Sequence, residues 1–390
     1  MFKNISVLLG TLILVGCSLS RQDQSISAED VVDTYISIAQ AAYEDSLISA
    51  RVMEDAIAAL LDNPNEMTLA YARNAWLAAR VPYQQTEVYR FGNAVVDEWE
   101  VRVNAWPLDE GLIDYTAASY GEESDINYFY NANIIANELI DVGGVSVDAA
   151  QISPQLLAET LHEIDGVESN VATGYHVIEF LLWGQDLNGT NPGAGERPAT
   201  DFSLQNCSNG NCDRRRDYLE AATSLLIADL EEMVFNWQPG GAAYQDLRSK
   251  GPDGGLATML TGMGSLAYGE LAGERIRLGL LLNDPEEEHD CFSDNTHNSH
   301  YYNALGIKNV YLGEYERING TVVSGPSLED LLEQEAPVVA AQMRARLEST
   351  ELAMNDMVAE ARRGNTFDVL IASNNAEGEA IVSNVVDALM

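Results

Sequence analysis

His176 and Glu179 stand three residues apart in the segment Gly174-Tyr175-His176-Val177-Ile178-Glu179. Side chains at that spacing are neighbours on a helix, so an imidazole nitrogen and a carboxylate converge on one ion or on each other. The flanking Val177, Ile178, Phe180, Leu181, Leu182 and Trp183 are apolar and imply a dry setting. Two kinds of chemistry suit the pair. It can hold a metal, or it can serve catalysis with His176 as ligand and Glu179 as ligand or general base. The plain alternative is a hydrogen-bonded couple.

Trp76, Arg80, Tyr83, Glu87 and Arg90 recur every three or four residues and fall within a helical arc of about 80°. That is the period of a core stripe, yet it is filled by two arginines, a glutamate and two amphipathic aromatics. Burying such a face requires mutual pairing, because an unpaired buried charge costs several kcal/mol, as a rough figure. Left in solvent, Glu87 and Arg90 form only a weak surface pair. A third polar stretch, Glu286 to Tyr302, holds His289, Asp290, Ser293, Asp294, His297 and His300. It reads either as a metal site or as a polar loop tied by hydrogen bonds. Glu270 and Glu274, four apart, can add carboxylates to a cleft or line an exposed face. There is no His-Glu-x-x-His and no inverted form of it, no Gly-x-Ser-x-Gly elbow and no phosphate-cradling glycine loop before a lysine. The chain carries no standard hydrolase centre.

Helices must position these groups. Apolar periodicity predicts helices from Ser27 to about Leu61, from Glu66 to Arg90, over Asp125–Ile140, Ser153–Glu163 and Val171–Trp183, and near 213–237, 256–282, 327–361 and 376–389. Asn93 to Gly111 reads as irregular, and no stretch alternates at period two. Four glycines at 262, 264, 269 and 273 weaken one predicted helix and imply a close backbone neighbour. The fold class is all-α, built as two packed helical bundles. The divisions expected are 1–16 for an export signal, 17–26 for a tether, 27–200 for an N-terminal bundle with the His176 motif and 201–390 for a C-terminal bundle. The joint falls in the Gly-, Pro- and Asn-rich run before Asn211.

The chain has 390 residues, 46% of them hydrophobic, enough for more than one small core. Its formal charge of −40, from 61 acidic against 21 basic residues, excludes nucleic acid as a partner, since phosphate would be repelled. Lys3 and the apolar run from Ile5 to Val15 make an export signal too short to span a bilayer. The run ends in Leu14-Val15-Gly16-Cys17, the pattern at which bacterial lipoproteins are cut and acylated on the cysteine. Cys17 is therefore the expected lipidation site. Ser18 and Leu19 follow without a retaining aspartate, which favours the outer membrane and a periplasm-facing body. Cys207 and Cys212 bracket Ser-Asn-Gly-Asn, and in an oxidising compartment a local disulfide is the natural reading. Three mature cysteines, with Cys291, nevertheless allow three pairings.

The Gly174–Glu179 hexapeptide resembles the signature of the imelysin family of insulin-cleaving membrane proteases and iron-regulated lipoproteins. Further blocks resemble the family in order: Trp76 to Tyr83 with Glu87, Asn104 to Gly111, Cys207 to Arg216, and His289 to His297. The resemblance covers roughly residues 30–385. It implies two helical bundles with a polar site in a cleft, a link to iron acquisition and a peptidase label. Carried over by position, His176, Glu179, Glu87 and Tyr83 are the expected metal ligands, with Arg80, Trp76 and Arg90 as ligand-binding neighbours. Iron is the expected cofactor or cargo, with another divalent metal such as zinc as the alternative. The expected partners are the membrane, through the lipid anchor, a small iron ligand, and envelope iron-transport components. A metal-dependent peptidase using His176 and Glu179 is the second functional reading.

Overall fold

The computed structural model describes residues 25–121, 124 and 126–390. Cys17, the export signal and most of the tether lie outside the described residues. The fold is predominantly helical, as the periodicity predicts, with two short hairpins. No helix among the described residues is long and apolar enough to cross a membrane.

The first helix, Ala28–Asp62, opens on a capping box. The Ser27 hydroxyl accepts from the Asp30 amide at 3.3 Å, and the Asp30 carboxylate accepts from the Ser27 amide at 2.9 Å, satisfying donors the helix cannot reach. Asn63-Pro64-Asn65 breaks it, and Asn65 caps the second helix, Glu66–Gln84. That helix stops short of the predicted Arg90. Pro82 lies inside its last turn and lacks the amide that continuation needs, and the chain leaves in a short 3-10 turn at Glu87–Tyr89.

Other departures have local causes. Asn93–Gly111, expected to be irregular, contains a helix at Ala94–Asn104 that buries Val96, Trp99 and Val103. Of Asp125–Ile140, expected to be helical, the described residues 126–140 are loop and the start of a hairpin, Leu139–Val142 with Val145–Asp148. Asparagine side chains there cap local backbone instead. Asn127 accepts from the Phe129 amide and Asn133 from the Ala136 amide, both at 2.9 Å, and such bonds compete with a helix. The predicted 327–361 helix is two, Leu328–Glu335 and Pro337–Ala361, broken where Pro337 restricts Ala336. A helix at Thr296–Leu312, which the periodicity does not predict, takes up the end of the polar stretch Glu286–Tyr302. It buries Thr296, Ser299, His300 and Asn303 alongside Ile307 and Val310, so it shows no apolar stripe.

The glycine-rich helix, Gly251–Gly264, continues as a π-helical stretch over Ser265–Arg277 and ends at Leu282. The expected close approach occurs at Gly262, where a Cβ would lie 2.3 Å from the Val88 carbonyl oxygen. At Gly264 and Gly269 it would meet nothing within 4 Å. The apolar core does not divide near residue 200. One cluster runs from Val31 to Leu328 and includes the Cys212–Asn236 helix. A smaller one joins Leu271, Met354, Phe367 and Val386.

Candidate metal centre

The helix Tyr175–Trp183 is buried along its whole length, and its start explains the first residue of the motif. Gly174 has φ +89°, and a Cβ on it would sit 2.5 Å from the Val103 carbonyl oxygen. Only glycine lets this helix begin against the end of the Ala94–Asn104 helix, which fixes where His176 points.

His176 Nδ1 lies 3.0 Å from Glu179 Oε2, so the two form the couple their spacing allows. Glu179 Oε1 accepts from the Ser293 amide at 3.0 Å and the Ser293 hydroxyl at 2.7 Å. Both carboxylate oxygens are therefore occupied. Asp290 supplies the next charge. Its Oδ1 is 3.9 Å from His176 Nδ1, 3.4 Å from His289 Nδ1 and 2.9 Å from Arg80 Nη2. Its Oδ2 accepts from Asn295 at 2.8 Å and also from the Ser299 hydroxyl. His176, His289 and Asp290 each offer a ligand atom within 4.8 Å of the other two. All three are buried. The imidazole rings meet edge to face at 4.7 Å, with Trp106 5.1 Å from the His176 ring.

Burial holds His176 well below the ordinary histidine range, reinforced by the Arg80 charge, and burial with Arg275 does the same to His289. Both rings are neutral, as a ligand must be. Burial alone would raise the Asp290 carboxyl, but the Arg80 charge outweighs it and holds the group well below its usual range. Glu179 goes the other way, pushed well up by burial and by the Asp290 charge.

These residues fit a metal ion on two observations. His176 Nε2 and His289 Nδ1 are buried without hydrogen-bond partners, an expensive state for a polar atom unless something binds there. Two imidazoles and a carboxylate are also a donor set suited to iron(II) and other borderline cations, with coordination positions left open. Ligands opposite one another on an ion bound at about 2.1 Å stand about 4.2 Å apart, close to the 4.8 Å within which one donor atom of each residue lies. Glu179 then orients His176 from behind through Nδ1, the usual arrangement for a ligating histidine.

The second helix meets this centre through Arg80. Its guanidinium bridges Asp290 and Asn104, at 2.7 Å to the Asn104 oxygen, and lies 5.0 Å from the Tyr175 ring. Tyr83 and Glu87, expected as ligands, have other partners within hydrogen-bond reach. Tyr83 donates to Glu87 at 3.1 Å, and Glu87 is claimed by Arg275 at 3.0 Å and Arg90 at 3.4 Å. Those two arginines hold the Glu87 carboxyl below its usual range against the effect of burial. Neighbouring Glu100 is pushed up to about 7 by burial and by Glu87. The stripe is thus buried and mutually paired, one of its two readings, and it supports the centre rather than ligating within it. Trp76 donates to the Tyr175 carbonyl at 2.9 Å and packs on Trp183, a positioning role. Glu179 likewise stands behind a ligand.

His289 and Asp290, the other two candidate donors, come from the third polar stretch, for which a metal site is one of two readings, but they are absent from the expected ligand set. The signal was present in the His-rich third stretch and in the imelysin-like block beginning at His289, but spacing could not rank them above His297 and His300. His300 is buried and His297 partly so, and burial lowers His297 to about 4 and His300 to about 3. His289 also lines a cleft of about 400 Å³. Glu100, Glu163, Glu168, Glu270, Glu274 and Glu287 line it against Arg90 and Arg275, so the Glu270–Glu274 pair does face a cleft. The disulfide is Cys207–Cys212, and Cys291 is a buried free thiol.

A peptidase-family model described as Imelysin matches residues 39–390. Iron-regulated protein A of Synechococcus elongatus is 23% identical over 323 residues, spanning 80% of this chain and 68% of that protein. A crystal structure from Parabacteroides distasonis, described as an iron-regulated protein A precursor, superposes with a TM-score of 0.62 at 18% identity. It covers 93% of this chain and 94% of its own, and this likeness speaks to the fold.

Proposed function

The chain belongs to the imelysin family, and on that premise we propose that it is a lipid-anchored envelope protein serving iron uptake, with iron held at His176, His289 and Asp290. One observation carries the reading: two buried neutral imidazoles with unpartnered nitrogens stand beside an ionised buried carboxylate, reached from an acidic cleft. The iron ion is the cargo. His176 and His289 supply nitrogen and Asp290 supplies oxygen. Arg80 keeps Asp290 ionised and in place before the ion arrives. The six cleft carboxylates concentrate cations at the mouth. Tethering through Cys17 would hold this binder at the outer membrane, within reach of envelope iron-transport components.

The geometry supports binding over peptide cleavage. Hydrolysis needs a general base beside an open coordination position, and Glu179 faces the Nδ1 side of His176 and the Ser293 amide and hydroxyl instead. The donors are also too deeply buried to meet a polypeptide carbonyl. Anaerobic iron(II) titration of the purified chain tests the proposal, with His176→Ala/His289→Ala as the comparison. One saturable site is expected in the wild type and none in the variant. Equal binding by both, or peptide cleavage that depends on His176, would replace this reading.

A further inference from the structure

A second cavity, unrelated to the metal centre, opens where the two apolar clusters meet. It has a volume of about 420 Å³, within the range of small-molecule sites, which favour such seams. The glycine-rich helix, the Thr296–Leu312 helix, the Pro337–Ala361 helix and the chain's end form its walls. Met263 and Ile307 belong to the larger cluster, and Ala304 and Met354 to the smaller. Met343 and Leu347 complete a lining whose thioethers adapt to flexible chains. Its charged lining side chains are Lys308, Arg346 and Glu351. Lys308 is paired with Glu351 at 2.7 Å, whereas Arg346 makes no ion pair with a described residue. Gly264 is in the wall, and the space where its Cβ would point holds no atom within 4 Å.

We propose that this cavity binds a single-chain anionic amphiphile, a long-chain carboxylate, with the acyl chain among the methionines and leucines and the carboxylate on Arg346. The apolar volume accounts for the chain, and the unpaired guanidinium at its mouth accounts for the charge, since carboxylates pair bidentately with arginine. A neutral or cationic headgroup gains nothing from Arg346.

The test is titration of the full chain, in detergent-free buffer, with dodecanoate, dodecanol and dodecyltrimethylammonium, read by displacement of a fluorescent fatty acid. Dodecanoate should saturate at one per chain and bind at least about tenfold more tightly than the other two, the scale of one charge-assisted pair. Arg346→Glu, an exposed change that leaves the fold intact, should remove that preference. Gly264→Phe should fill the cavity and abolish binding of all three, with an unchanged circular dichroism spectrum. Absence of saturable dodecanoate binding to the wild type would overturn the proposal. So would equal affinity for the three amphiphiles, or a preference that survives Arg346→Glu.

Discussion

Replacing Gly174 by alanine drives a methyl group to within 2.5 Å of the Val103 carbonyl oxygen and 2.6 Å of its carbon. The backbone there has φ +89° and ψ −171°, a region essentially restricted to glycine that costs an alanine about 1–3 kcal/mol. Overpacking against a fixed carbonyl adds about 1–3 kcal/mol, for a total of about 2–6 kcal/mol. At about 2 cal/mol/K per residue of unfolding entropy, a chain of this length should melt about 3–8 °C lower. Because the clash lies two residues before His176, it should also shift that ring relative to His289 and Asp290 and weaken iron(II) binding. Gly264→Ala is the control. Its Cβ meets nothing within 4 Å, and alanine in a helix interior is favoured by about 0.5–1 kcal/mol, so its melting temperature should hold or rise. Differential scanning calorimetry on both variants decides the matter. If Gly174→Ala melts with the wild type, close approach is not why the motif begins with glycine.

Burial raises the Glu110 carboxyl from its ordinary 4.5 to about 7, so the folded state holds its proton longer than the unfolded one. Stability is then lost as pH rises through that window, by at most about 3 kcal/mol. Glu110→Gln should therefore stabilise the chain in urea unfolding at pH 8 and leave it unchanged at pH 4. Both metal-centre imidazoles stay neutral below the ordinary histidine range, so iron affinity should hold through that range and fall only at more acid pH; a midpoint at the ordinary histidine value would contradict the burial argument. Cys17→Ser should release the chain from membranes or block its processing, as fractionation will show. Reducing Cys207–Cys212, which closes a short loop, should cost about 2 kcal/mol of stability, and unreduced digests should show Cys291 free.

The legible parts of the fold were those where local and global signals agree. Ser27 with Asp30, Asn65 and the apolar periodicity of the first helix all point one way, and the helix runs as read. Thr296–Leu312 was illegible because its buried face is polar: Asn303 donates to the Gln84 carbonyl at 2.9 Å and accepts from Arg275 at 3.1 Å. No pattern of hydrophobicity reveals a face held by partners from distant segments. The same reason hid how the two halves of the candidate metal centre meet. His176 with Glu179 is local in sequence and was found. Asp290 joins Arg80 from 210 residues away, and only the fold brings them together. Tyr83 and Glu87 are expected at the ion by position in the family resemblance, and neither that nor periodicity distinguishes a ligand from a carboxylate already claimed by Arg275 and Arg90.

The most direct measurement is anomalous diffraction at the iron edge from crystals of the chain equilibrated anaerobically with iron(II). The account requires one strong peak within about 2.0–2.3 Å of a nitrogen from each of His176 and His289 and an oxygen of Asp290, distances typical of metal–nitrogen and metal–oxygen bonds. Neither Glu87 nor Tyr83 should touch it. A peak centred on Glu87 or confined to the cleft carboxylates, or saturated crystals with no peak at the histidines, would contradict it.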